Sequence, residues 1–144
     1  MIEQDTIRLL RECDAGIRMG VASIGDVLPR VTHAPLRSAL SDCKQAHERL
    51  GTEIRAQLDR FHDEGKPANP MARGMSWVKT NLKLAVNESD CTIADLMTDG
   101  CNIGVKSLGR YLNEYQAADE PSKDIAKKLI ALEAQLATDL RAFL

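Results

Sequence analysis

One pattern constrains this chain more than any other, because it occurs twice at a constant offset. Gly16, Gly20, Val21, Ser23, Ile24, Gly25 and Leu28 answer to Gly100, Gly104, Val105, Ser107, Leu108, Gly109 and Leu112, with 100 − 16 = 84 at every position. A second matched stretch follows each copy. Leu50, Thr52, Glu53, Ile54, Arg55, Ala56 and Leu58 answer to Leu136, Thr138, Asp139, Leu140, Arg141, Ala142 and Leu144, with 136 − 50 = 86, and Pro35 maps onto Pro121 at the same distance. Such a chain reads as a pair of helices written twice. The repeat says much about architecture and little about chemistry, because no strong catalytic motif accompanies it.

Each long segment carries helical spacing. In the first, predicted over 3–28, Ile7, Leu10, Ile17, Val21, Ile24 and Leu28 make one apolar stripe, and Asp14 falls on it where an apolar residue is expected. Gly16 and Gly20 share a face one turn apart. Glycines inside a helix cost about 1 kcal/mol each relative to alanine, so close approach of another helix is the expected compensation. Pro29 ends the segment, and the loop at 30–34 is short enough to return the chain antiparallel. The second helix, from Pro35 to about His62, is roughly 40 Å long at 1.5 Å per residue. It turns Leu36, Leu40, Cys43, His47, Leu50, Ile54, Leu58 and Phe61 inward, and Gly65 and Pro67 stop it.

Residues 66–88 read as a crossover: a linker with Pro67, Pro70 and Gly74, then a short helix with Lys79 and Lys83 on its wet side and Trp77 packed on one end of the bundle. The third long helix is expected over 91–115, with Cys91, Ala94, Thr98, Cys101, Val105, Leu108 and Leu112 inward. The last opens at Asp119, Glu120 and Pro121 and runs to the end with Ile125, Leu129, Leu132, Leu136, Leu140 and Leu144 inward. Short connections within repeats and a long one between them predict an all-α, ferritin-like antiparallel four-helix bundle with a short crossover helix and an internal two-fold repeat. It is one domain over 1–144, divided into repeat one at 3–65, crossover at 66–88 and repeat two at 89–144.

Composition narrows the partners. Aromatic residues make up 3% of the chain, which favours an aliphatic core and leaves little for base stacking. A net charge of −2 argues against a phosphate-backbone partner, so no nucleic acid is expected. No apolar run approaches a membrane span and the first residues are acidic and polar, so the expectation is a cytoplasmic protein with no membrane association. The four cysteines form no Cys-x-x-Cys pair and read as reduced, mostly buried thiols.

With these segments in place the chain resembles the ferritin-like superfamily, and more closely a bacterial family of small ferritin-like bundles with no assigned function. The resemblance rests on Cys13-Asp-Ala-Gly16 in the first helix and on Ser76-Trp77-Val78-Lys79 before the third, and it covers nearly the whole chain. Active members of the superfamily bind two irons or manganese through a Glu from each of two helices and a Glu-x-x-His from each of the other two. Here Lys44 stands three residues before His47, the last helix has no His, and the first and third helices have no Glu on their inner stripes. The di-metal ligand set is not intact, which speaks against dioxygen chemistry and iron storage.

The stripes still place Asp14, His47, Thr98, Cys101 and Glu133 at or near the interior. His47 and Glu133 are related by the offset of 86 and should lie at similar depth. The expected arrangement is a hydrogen-bonded cluster, His47 with Asp14 or Glu133, holding no cofactor. The alternative is one transition-metal ion, Zn, Fe or Mn, on Asp14, His47 and Glu133, with Cys43 or Cys101 as further ligands. Cys43 and His47 share a helix face and read as core residues rather than a catalytic pair. His33 and His62 read as surface residues. The glycine pairs follow no strand, so dinucleotide and P-loop readings fail. The functional expectation is a non-catalytic interaction or stress-associated protein, with an unknown protein partner or as a homodimer. The alternative is a metal-binding protein or weak oxidase.

Overall fold

The computed structural model describes residues 2–63 and 89–144; the crossover assigned to 66–88, with Trp77, Lys79 and Lys83, lies outside the described residues. Among the described residues there are four α-helices and no strand: α1 (Ile2–Val27), α2 (Ala34–Asp59), α3 (Asp90–Glu114) and α4 (Glu120–Leu140). Their ends follow local chemistry. Pro29 lacks the N–H that would extend α1, and the chain tightens there into a 3-10 turn, Leu28–Arg30. Pro35 and Pro121 occupy the first turns of α2 and α4, where that N–H is not needed. Ser89 caps α3 by accepting from the Thr92 N–H at 3.3 Å, and Asp119 caps α4 by accepting from the Ser122 N–H at 3.0 Å.

α1 and α2 form one hairpin and α3 and α4 the other. α2 packs on α4, and α1 meets both α3 and α4 across the interior. The two hairpins hold each other by their ends. Thr6 Oγ1, at the start of α1, accepts from the Asp119 N–H at 2.8 Å, and the neighbouring Asp5 carboxylate accepts from the Ala117 N–H at 3.1 Å. The Asp90 carboxylate, at the start of α3, accepts from the Thr32 N–H at 3.0 Å, the Thr32 hydroxyl at 2.9 Å and the His33 N–H at 2.9 Å. Thr6 and Asp90 are 84 residues apart, and His33 and Asp119 are 86 apart. Each repeat therefore pins the other's hairpin loop with an equivalent residue. These ties set α1 antiparallel to α3 and leave α2 ending and α3 starting at opposite ends of the bundle.

Some expected inner positions move. Leu10, Ile17 and Ile24 are buried, but so are Thr6, Leu9, Cys13, Ser23 and Val27, because a helix touching three others buries more than one stripe. Cys91 is exposed, so the thiols are less uniformly buried than expected: Cys13 and Cys101 are buried and Cys43 is half-buried. α4 ends at Leu140 and passes into a 3-10 turn, Arg141–Phe143, which leaves Leu144 57% exposed rather than inward.

The core falls into two apolar clusters. One contains Ile24, Leu40, Ile93, Met97 and Leu136; the other contains Leu10, Ile17, Leu50, Ile54, Leu108 and Leu129. Between them, one residue from each helix forms a different kind of layer: Gly20, His47, Gly104 and Glu133.

Candidate functional site

The middle layer is built around His47 of α2. Its Nε2 lies 2.7 Å from Oε1 of Glu133 on α4, and its Nδ1 lies 2.8 Å from the Cys43 carbonyl one turn back. Both partners are acceptors, so both ring nitrogens donate and the ring is an imidazolium. Cys43 Sγ sits 3.5 Å from the same Nδ1. Burial opposes a charge on the 1% exposed His47, but its hydrogen bonds to Cys43 and Glu133, reinforced by the Glu133 charge, outweigh it and push the pKa up to about 10. The Cys101 thiol of α3 is also pushed up, by burial first and then by the adjacent Glu133, with which it hydrogen-bonds. It stands beside the carboxylate as a neutral thiol.

The glycines explain how the layer fits. A β-carbon on Gly20 would stand 2.9 Å from His47 Cδ2 and 3.1 Å from its Nε2. One on Gly104 would stand 3.6 Å from the Glu133 carboxyl carbon. The glycine motif thus accommodates side chains arriving from the other helix of the same hairpin, His47 against Gly20 and Glu133 against Gly104, rather than the close approach of another helix expected from spacing alone. It also leaves a groove of about 350 Å³ between α1 and α3. Gly16, Gly20 and Ser23 line one wall, and their counterparts Gly100, Gly104 and Ser107 line the other. His47 and Glu133 form its base, with Ile24, Met97, Leu108 and Leu129 among the apolar residues around them.

Of the residues singled out from sequence, the structure brings together His47, Glu133, Cys43 and Cys101. It places Asp14 elsewhere. Asp14 is fully buried on α1, six residues before Gly20, or about 9 Å along the helix axis. Its carboxylate pairs with Arg18 at 3.1 Å as an ion pair without a directed hydrogen bond. Burial raises its pKa against the opposing pull of Arg18 and Arg55. Thr98 turns its hydroxyl back onto the Ala94 carbonyl at 2.7 Å. Sequence reasoning missed the Cys43 carbonyl as a partner of His47, since a backbone acceptor leaves no mark in residue type. It read the glycine pairs as a surface for close helix packing, whereas they line an open groove.

The donor set does not fit the two-metal centre that the bundle class implies. At the level of His47 and Glu133 the other two helices supply Gly20 and Gly104, which have no side-chain donor, where such a centre needs ligands from all four. The one imidazole and one carboxylate present, His47 and Glu133, are bonded to each other. Among the described residues, no three of His, Cys, Asp and Glu converge as ligands of one ion.

No protein-family model and no curated protein matches the chain. Among solved structures, it is similar to a dodecameric thioferritin, the bacterioferritin-related protein from Bacteroides fragilis, with a TM-score of 0.73 and 12% sequence identity over 99% of this chain and 89% of that one. At that identity the likeness speaks to fold alone. No helix among the described residues is long and apolar enough to cross a membrane. The hairpin order, the end-to-end ties and this similarity together establish the chain as an all-α bundle of the ferritin-like fold.

Proposed function

We propose that this protein is a non-catalytic binding bundle, which uses the middle of a ferritin-like scaffold to hold a small ligand rather than a di-metal oxidase centre. The observation that carries the reading is the His47–Glu133 pair, bonded to itself at 2.7 Å at the base of a ligand-sized groove. Both ring nitrogens of His47 are engaged, so the imidazole has no lone pair free to act as a base on a reacting group. Cys43 and His47 offer no activated nucleophile either, since the imidazolium already donates from both nitrogens and has no free base to take the thiol proton.

A second reading, a single Zn, Fe or Mn ion held by His47 and Glu133 with Cys43 or Cys101, is motivated by the contiguity of these four side chains. Elemental analysis by plasma mass spectrometry separates the two. On the binding reading, untagged protein and a His47→Ala/Glu133→Ala variant both lack stoichiometric metal, even after reconstitution with each ion. Near-stoichiometric metal that disappears in the double variant would replace the binding reading with the metal one. Self-assembly is part of the proposal, supported by the dodecameric state of the similar bundle. Sedimentation velocity over a wide concentration range reads it directly.

A further inference from the structure

We infer that the groove between α1 and α3 takes a small, uncharged, mainly apolar molecule whose single polar end donates a hydrogen bond to Glu133. The inference rests on the binding reading above and deepens it. Three features of the lining carry it.

The first is charge. Among the described lining residues only His47 and Glu133 are ionisable apart from the thiol of Cys101, and the pair cancels. A ligand carboxylate would enter beside Glu133, and a ligand ammonium beside an imidazolium. Neither finds an uncommitted countercharge, so its lost hydration goes uncompensated.

The second is the direction of the hydrogen bonds. Both N–H groups of His47 are taken, by the Cys43 carbonyl and by Glu133 Oε1. The imidazolium has no donor left for a ligand. Glu133 keeps acceptor capacity: its Oε2 lies on the Gly104 side of the groove, 3.6 Å from where a β-carbon on Gly104 would be. A carboxylate accepts at several lone-pair positions, so a ligand O–H or N–H fits there where a bare carbonyl or ether oxygen does not.

The third is symmetry. The walls come from equivalent residues of the two repeats, but the base does not, because His47 stands where the other repeat has Glu133. The polar end therefore points to the Glu133 side, and the apolar body lies along glycine, methionine and leucine surfaces.

A fluorescence titration tests this on the full chain. N-phenylnaphthylamine is uncharged and apolar with one N–H, and should bind with enhanced emission at one site per chain. Octanol should displace it, while octanoate, octylammonium and octyl methyl ether compete at least about tenfold less well, the weight of one lost charge-assisted hydrogen bond. Gly104→Leu fills the groove from α3 and should abolish probe binding. Ser107→Leu, at a half-buried position on the same wall, does the same if the first variant melts abnormally. No saturable probe binding, or binding unchanged in both plugged variants, would overturn the binding reading and this inference together. Binding lost in the plugged variants while octanoate or octylammonium competes as well as octanol would leave the binding reading standing and overturn the uncharged ligand. Equal competition by the ether would overturn the hydrogen-bond donor.

Discussion

His47 shows how a single residue's charge is decided by what its two nitrogens face. A carbonyl on one side and a carboxylate on the other suit the doubly protonated ring, and against burial the Cys43 side chain and Glu133 raise its pKa. Because the folded value of about 10 lies above the ordinary 6.5, the resulting stability is fully present below pH 6.5 and is lost as pH rises through 10. Glu133→Gln should reverse this. Burial then meets only the opposing pull of Cys43, the imidazole titrates well below its wild-type value by nitrogen-15 NMR, and the fold loses about 1–3 kcal/mol at neutral pH in urea melts. The stability gap between the two proteins should narrow from pH 7 to 10. A second residue-scale contrast lies in the repeated glycines. Gly104→Ala meets Glu133 at an ordinary contact distance and should stabilise α3 by about 0.5–1 kcal/mol. Gly20→Ala, its counterpart 84 residues earlier, drives a methyl into an imidazole pinned at both nitrogens and should destabilise by about 1–3 kcal/mol. Thermal melts of the two variants should move in opposite directions.

The helices themselves were largely legible. Pro29, Pro35, Asp119 and Pro121 mark ends through local backbone chemistry, and the observed bounds lie within a few residues of those expected. Which face each helix buries was less legible. The α1 stripe was drawn as if one neighbour covered it, and contact with three neighbours adds Leu9, Cys13 and Val27 to the core. The ties between hairpins were not legible at all, because Thr6 and Asp90 look like ordinary first-turn residues. Asp90 supplies the test at this scale. The Thr32 backbone and hydroxyl bonds, helped by His33, hold its carboxylate below the ordinary value of 3.8. Its contribution is therefore present above pH 3.8 and lost as pH falls through the lower folded value. Asp90→Ala should lower the melting temperature at neutral pH, and the difference from wild type should shrink on acidification into that range.

Across the whole molecule, the division of the core matters more than any single contact. Two apolar clusters are separated by a layer to which two helices contribute glycine and the other two an ion pair, so side-chain volume is low there and a charged pair sits at mid-bundle. That is where the proposed ligand would enter without displacing core. Occupancy by N-phenylnaphthylamine at about 100 times its dissociation constant should add about 2.7 kcal/mol of stability, a rise of roughly 5–10 °C in melting temperature for a chain of this size. Differential scanning fluorimetry with a reporter excluded from the groove, or calorimetry, reads the shift. Gly104→Leu should show none.

The sequence by itself determined the four helices, their short hairpin connections and the inward placement of His47 and Glu133. Helical period, capping chemistry and repeat offset are local properties, carried by residue type and spacing. It left two partners open for His47, since Asp14 and Glu133 both occupy inner faces. Only the tertiary structure chose between them, because axial register between helices is set by packing across the bundle: Gly20, not Asp14, comes level with the imidazole. The same packing decided that the repeated glycines frame a groove instead of a backbone contact. A missing side chain specifies only that space is left, and the neighbouring helices determine what fills it.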